Sequence, residues 1–238
     1  MNKELTFVDA FKNQNWFYKK YYYSGANCRF FTFQTVLNLL NQKHANPTII
    51  ETGCQRMVDD LGGGMSTSIF ADYLDHYGGK LISVDLSPQS CKIAKEVMQP
   101  YLDKQLDITI VQSDSVKFLK EYQGPCDLLY LDSFDYPYGE VLNKYGSQKD
   151  ITKTEELLWA KDPNELIKEV ESIISPCQQH CVNEFLAIKD RLDEKCILLL
   201  DDNSLPGGGK PRLLKEMLPS FGWTCLLDFQ QSLWIKEL

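Results

Sequence analysis

Asp132 follows the apolar run Leu128-Leu129-Tyr130-Leu131, and the pair Asp201-Asp202 follows Ile197-Leu198-Leu199-Leu200. If the two runs are neighbouring strands, three carboxylates meet in one cleft. Such a group repels itself unless a cation or protons compensate, and oxygen-only ligands suit a hard ion such as Mg²⁺ or Mn²⁺. Asn203, next in the chain, is an alternative ligand. A bound ion would chelate two neighbouring substrate oxygens and lower the pKa of one of them, turning a poor nucleophile into an oxyanion. The plainer reading, in which Asp201 or Asp202 caps the loop into Ser204-Leu205-Pro206, accounts for one acid but not for three. Two residues are candidate proton acceptors: Asp135, three positions after Asp132, and His180, the sole histidine in the second half of the chain. His180 reads more readily as a helix-surface residue.

A second constellation lies upstream. Ile49-Ile50-Glu51-Thr52-Gly53, and later Gly62-Gly63-Gly64-Met65-Ser66-Thr67, join an apolar strand to a helix through glycines, a geometry that lets backbone approach a nucleoside cofactor. Ser66 or Thr67 could cap that helix. Further acids end further apolar runs, Asp85 after Leu81-Ile82-Ser83-Val84 and Asp114 shortly after 108–111. Carboxylates therefore collect along one sheet edge. Two other patterns carry less. Gly207-Gly208-Gly209-Lys210 is no phosphate-binding loop, because Ser204 stands where the first glycine belongs and Pro211 follows the lysine. That run gives a substrate room or is a flexible turn. Cys177, His180 and Cys181 lack a second ligand pair for structural zinc.

The elements that must position these residues alternate. Strands are expected at 48–52, 80–84, 108–111, 127–131 and 196–200, with helices between them and a proline-started helix after Ser87. A helix from Pro211 to about 218 precedes two closing strands, 223–229 and 232–235, whose short link requires an antiparallel hairpin. The long connection 133–195 has a polar, turn-rich first part, 136–154, and helical spacing over 155–172 and 178–192; it reads as a lid over the acidic edge. The first 46 residues read as a helical cap whose aromatics, Trp16-Phe17-Tyr18 and Tyr21-Tyr22-Tyr23, pack on the sheet. A chain of 238 residues, 43% hydrophobic and 24% charged, fits one domain with an ample core. Its net charge of −8 argues against a broad nucleic-acid surface. No apolar run spans a bilayer, the start lacks a signal-peptide core, and the eight scattered cysteines read as reduced thiols, so a cytoplasmic protein is expected.

The ordered set Glu51-Thr52-Gly53 with Gly62 to Gly64, Asp85, Asp114-Ser115, Asp132 and the terminal hairpin resembles the class I S-adenosylmethionine-dependent methyltransferases. With Asp201-Asp202 and Asn203 it is similar to the divalent-metal-dependent small-molecule O-methyltransferases, including the sugar and catechol types. The resemblance implies an α/β, Rossmann-like methyltransferase fold over 1–238: a mostly parallel seven-stranded sheet with an antiparallel C-terminal hairpin and helices on both faces. It implies that Glu51 and Gly53 flank the methionine end of the cofactor, that Gly62, Gly63, Gly64 and Ser66 allow its close approach, and that Asp85 accepts the ribose hydroxyls. Asp114 and Ser115 would meet the adenine, although Asp114 reads equally as a helix cap. Asp132, Asp201, Asp202 and Asn203 would hold Mg²⁺ or Mn²⁺ beside a small-molecule hydroxyl, with no nucleic-acid or membrane partner and a homodimer as the candidate assembly. The chain departs from the pattern in the eight residues 54–61 between Gly53 and Gly62. A nicotinamide-dependent oxidoreductase and a non-catalytic binding module are the alternatives.

Overall fold

The computed structural model describes residues 15–21, 27–58, 65–137, 139–140 and 163–236. Within them lie α1 (Asn15–Tyr21), α2 (Asn27–Lys43), β1 (Thr48–Thr52), α3 (Ser66–Tyr77), β2 (Lys80–Asp85), α4 (Pro88–Leu102) and β3 (Asp107–Gln112). The second half carries α5 (Ser115–Glu121), β4 (Leu128–Leu131), α6 (Pro163–Ile188), β5 (Ile197–Leu200), α7 (Arg212–Met217), β6 (Thr224–Asp228) and β7 (Ser232–Ile235). The strands form one seven-stranded sheet in the order β3-β2-β1-β4-β5-β7-β6. All neighbours are parallel except β7, which runs antiparallel to both β5 and β6. The parallel sheet and its closing hairpin are those expected from the sequence, with strand ends shifted by a residue or so.

The central strands are apolar along both faces because both faces are covered. Side chains alternate: Ile49, Leu128, Tyr130, Ile197 and Leu199 enter one core with α1, α2 and α3, whereas Ile50, Leu129, Leu131, Leu198 and Leu200 enter the other with α5, α6 and α7. Of the N-terminal aromatics, Trp16, Phe17 and Tyr21 pack as expected, while the side chains of Tyr18, Tyr22 and Tyr23 lie outside the described ones. Phe17 lies against Phe30 at 5.1 Å and Tyr21 at 5.0 Å between ring centroids, and all three are buried. Asp72 of α3 ties this cap down by accepting from Tyr101 at 2.6 Å and from Tyr21, with Lys20 beside it.

Two local expectations are corrected and one holds. Neither Ser66 nor Thr67 caps α3, because the N-cap position is Met65 and the Thr67 hydroxyl is committed to Glu51. Ser87 does cap α4, accepting from the Ser90 N–H at 3.2 Å, with Pro88 in the first turn. The spacing divided the helical region near residues 172–178, yet α6 runs through Pro176 without a break. Burial of Ile174 and Cys177 against Tyr136, on either side of that proline, holds the helix together. Most of the lid-like stretch 136–154 lies outside the described residues. Among those residues no helix is long and apolar enough to cross a membrane, and the seven cysteines Cys54, Cys91, Cys126, Cys177, Cys181, Cys196 and Cys225 are free.

Phe70 is fully buried between Phe33 and Tyr130, at 5.8 and 5.7 Å between centroids. Phe70→Ala is expected to lower unfolding free energy by about 3–5 kcal/mol in urea titrations, the range for a buried aromatic truncated in a core; a loss below about 1 kcal/mol would mean that this packing is slack.

Candidate functional site

The strand order reverses between β1 and β4, since the chain moves outward from β1 through β2 to β3 and then returns to the other side of β1. Ligands of open α/β sheets bind beyond the carboxyl ends of the strands at such a point. A cleft of about 470 Å³ opens there, lined by Gly53 and Cys54 after β1, Asp85 and Leu86 after β2, Asp114 and Ser115 after β3, and Asp132, Phe134 and Asp135 after β4. His180 reaches it from α6. Six of the expected site residues, Gly53, Asp85, Asp114, Ser115, Asp132 and Asp135, therefore line one cleft at the ends of four strands.

Gly53 makes the main turn. Its φ is +82°, and a Cβ there would stand 2.6 Å from the Asp132 carbonyl oxygen, so only glycine lets the two loops close on one another. The departure at 54–61 folds as its own small structure over its described part. Gln55 is fully buried, its N–H donates to the Thr67 hydroxyl at 2.9 Å, and its side-chain amide donates to the Met57 carbonyl at 2.9 Å. The expected cofactor contacts of Gly62, Gly63 and Gly64 fall on residues outside the described ones.

Glu51 and Ser66 are displaced from their expected roles. Neither lines the cleft; both are buried behind it, with Glu51 Oε2 accepting from Thr67 at 2.7 Å and from Ser83. Glu51 lies inside β1, where Ser83 of β2 and Thr67 of α3 close over its carboxylate, whereas Gly53 follows the strand end. Burial pushes the Glu51 carboxyl up to about 7, against the opposing pull of the Ser66, Ser83 and Thr67 hydroxyls.

Asp85 is at the cleft, and its carboxylate also organises the walls, accepting from Cys54 N–H at 3.0 Å and Ser87 N–H at 2.7 Å. Asp114 caps α5 through the Lys117 N–H at 2.8 Å, the helix-cap reading, and it also lines the cleft. His180 Nε2 sits 3.0 Å from the Ser115 and Ser133 hydroxyls, and Ser133 donates to Glu184 at 2.6 Å. Burial lowers the His180 pKa, but the Glu184 carboxylate raises it more, leaving it above the ordinary histidine value. This histidine braces the cleft wall rather than standing free as a base. Asp135 is exposed and paired with Arg56.

The three strand-end acids do meet, as expected, but they meet around protein cations. Lys210 Nζ lies 2.7 Å from Asp132 Oδ1 and 3.0 Å from Asp202 Oδ2. Arg29 Nε donates to both Asp201 oxygens at 2.9 Å, and its Nη2 to Asp202 at 3.2 Å. Asp201 also accepts from Tyr130 and from Gln231 at 3.0 Å. Asn203 turns away, its amide donating to Asp228 and to the Phe229 carbonyl at 3.1 Å, which ties it to the β6–β7 turn. Among the described residues no group of His, Cys, Asp or Glu is arranged to hold a metal ion. This donor set does not fit Mg²⁺ or Mn²⁺ as it stands, because the Lys210 ammonium fills the space between Asp132 and Asp202 and Arg29 and Gln231 occupy the Asp201 oxygens. Burial raises the Asp132 carboxyl, Lys210 pulls it down, and Asp201 and Asp202 push it up again, to about 7 in balance. Arg29, Lys210 and Gln231 carried no motif in the sequence. The one available signal was a lysine behind three glycines close to the acid pair.

No protein-family model matches the chain, and no curated protein matches its sequence. Solved structures do. NSun6 from Pyrococcus horikoshii with SFG is 14% identical, with a TM-score of 0.51 over 84% of this chain and 49% of that one. A putative rRNA-methylase from Clostridium thermocellum is 10% identical, with a TM-score of 0.50 over 87% of this chain and 95% of that one. The SAH-bound methyltransferase PaMTH1 from Podospora anserina is 12% identical, with a TM-score of 0.48 over 96% and 88%. At these identities the likeness of the first two shows the fold alone, a Rossmann-like sheet with the closing hairpin of methyltransferases.

The Glu51 carboxyl binds its proton more tightly folded than unfolded, so its contribution to stability is complete below the unfolded carboxylate value and is lost as pH rises through about 7. Asp132 acts in the same direction. The melting temperature is expected to fall between about pH 5 and about pH 8, and Glu51→Gln to flatten part of that fall, since an amide does not titrate. An unchanged slope in differential scanning calorimetry of Glu51→Gln would remove Glu51 as a source.

Proposed function

We propose that this chain is an S-adenosylmethionine-dependent methyltransferase acting on a hydroxyl of a small molecule. One observation carries the reading: the glycine-only turn at Gly53 opens a cleft at the switch point, walled by Asp85, Asp114 and Asp132 in the strand order that a nucleoside cofactor requires. A fold shared with a putative rRNA-methylase supports methyl transfer. The runner-up, a nicotinamide dinucleotide enzyme, is disfavoured by β7, which enters antiparallel between β5 and β6 where a dinucleotide fold keeps the order 3-2-1-4-5-6. A small acceptor is preferred to RNA because the cleft carries Asp85, Asp114, Asp132 and Asp135 on a chain of net charge −8.

In this reading the cofactor supplies an electrophilic methyl group on a sulfonium. The rest is the work of the chain. The Gly53–Cys54 backbone gives room for close approach, Asp85 accepts the ribose hydroxyls on lone pairs left by its two backbone donors, and Asp114 with Ser115 faces the base. Asp132, with its pKa near 7, would take the proton of the hydroxyl that receives the methyl group. Positioning supplies most of the remainder. The metal-assisted form of the reaction, expected from the sequence, is not part of this proposal, because Lys210 and Arg29 stand where the ion would act.

Titration calorimetry should detect S-adenosylmethionine and S-adenosylhomocysteine but not NAD. Asp85→Asn should weaken cofactor binding by about 1.5–3 kcal/mol, the range for hydrogen bonds to a charged group. Binding of NAD alone, or unchanged affinity in Asp85→Asn, would reject the assignment. On an acceptor found by screening, kcat/KM should rise with pH and level off above about 7, because Asp132 accepts a proton only when ionised. A flat profile from pH 5 to pH 9, about two units either side of that value, would remove Asp132 as the base.

A further inference from the structure

We propose that Lys210, with Arg29, is the resident counter-cation of the Asp132–Asp201–Asp202 cluster, that the protein accordingly takes no divalent ion there, and that removing the Lys210 charge creates a divalent-cation site. Lone-pair accounting supports the first half. Asp201 Oδ1 receives Arg29 Nε and the Asp202 N–H at 2.6 Å, while its Oδ2 receives Arg29 Nε, Tyr130 and Gln231. Both oxygens are saturated, so Asp201 has nothing left to offer a metal. Asp202 gives one oxygen to Arg29 and the other to Lys210. The third Lys210 donor goes to the Asp132 carbonyl at 3.4 Å, which uses the whole ammonium inside the cluster.

The placement of this lysine is built into the backbone. Gly209 has a φ of +68°, and a Cβ there would stand 1.7 Å from the Asp202 carbonyl oxygen, so the loop folds flat onto the acid pair and delivers Lys210 inward. Gln178 of α6 holds that loop by donating to the Gly207 and Gly209 carbonyls at 3.2 and 2.9 Å. Lys210 is 4% exposed. Any divalent ion must displace it and leave a buried ammonium without a partner, a cost far above that of moving a surface lysine. Without the ammonium, Asp132 and Asp202 keep free carboxylate oxygens that face each other across the space it filled, and hard cations are held by two carboxylates and water.

Mn²⁺ titration followed by electron paramagnetic resonance tests this without reference to methyl transfer. Failure of the methyltransferase reading would leave this readout unmoved, and failure here would leave cofactor binding unmoved. The native protein should show no Mn²⁺ site tighter than about 1 mM, the loose end of ordinary calcium and magnesium sites. Lys210→Met, which keeps the length but not the charge, should bind one Mn²⁺ at least about tenfold more tightly, a difference of about 1.4 kcal/mol. Lys210→Arg should stay like the native chain. A micromolar Mn²⁺ site in the native protein that disappears in Asp202→Asn would overturn the proposal, as would equal weak binding in native and Lys210→Met proteins. If Lys210→Met does not fold, the native and Lys210→Arg titrations still decide the first half, and Lys210→Gln, which also removes the charge but keeps a polar end, decides the second by the same tenfold gain.

Discussion

Strand-end carboxylates can gather at a sheet edge only if something positive gathers with them. In this protein the compensation is covalent to the chain: an ammonium from the loop after β5 and a guanidinium from the N-terminal helix α2 enter one cluster with Asp132, Asp201 and Asp202. Much else follows from that. The helical cap is tied to the far end of the sheet through Arg29, the glycine run exists to bring Lys210 inward, and Gln178 draws α6 onto the same loop. Removing one member of such a group leaves the others buried and unpaired, so the cluster is a structural constraint as well as a candidate chemical one.

The cleft depends on a second close approach. Gly53 meets the backbone of Asp132 because both leave adjacent parallel strands at the same level, Thr52 being in register with Leu131. That contact sets the cofactor wall next to the acid cluster, and Asp132 belongs to both. Its carboxyl is therefore tuned by opposing neighbours, burial and two acids against one lysine, which keeps it near neutrality. His180, which the sequence offered as a base or as a helix-surface residue, is held at the cleft against Ser115, Ser133 and Glu184.

Where sequence reading succeeded, the signal was local. An apolar run of four or five residues ending in an acid, repeated along the chain, located Asp85, Asp114, Asp132 and Asp201, and the short link after Asp228 required a hairpin. Where it failed, the deciding contact was distant. Glu51 was placed beside the cofactor by resemblance, but it sits within β1 and is buried against Thr67 of α3 and Ser83 of β2. The break expected near Pro176 is overridden by burial on both sides of the proline. The metal was inferred from three acids whose positions were right and whose partners were invisible.

The sequence alone determined the order of strands and helices, the antiparallel close and the row of acids at one edge, because periodicity and turn chemistry act over a few residues. Only the tertiary structure decided what neutralises those acids. Arg29 lies 172 residues from Asp201, and Lys210 lies 78 from Asp132, so neither pairing leaves a trace in local spacing. Charge compensation in a buried cluster is settled by which side chains the fold can bring within about 3 Å, and that distance is a property of the packed chain.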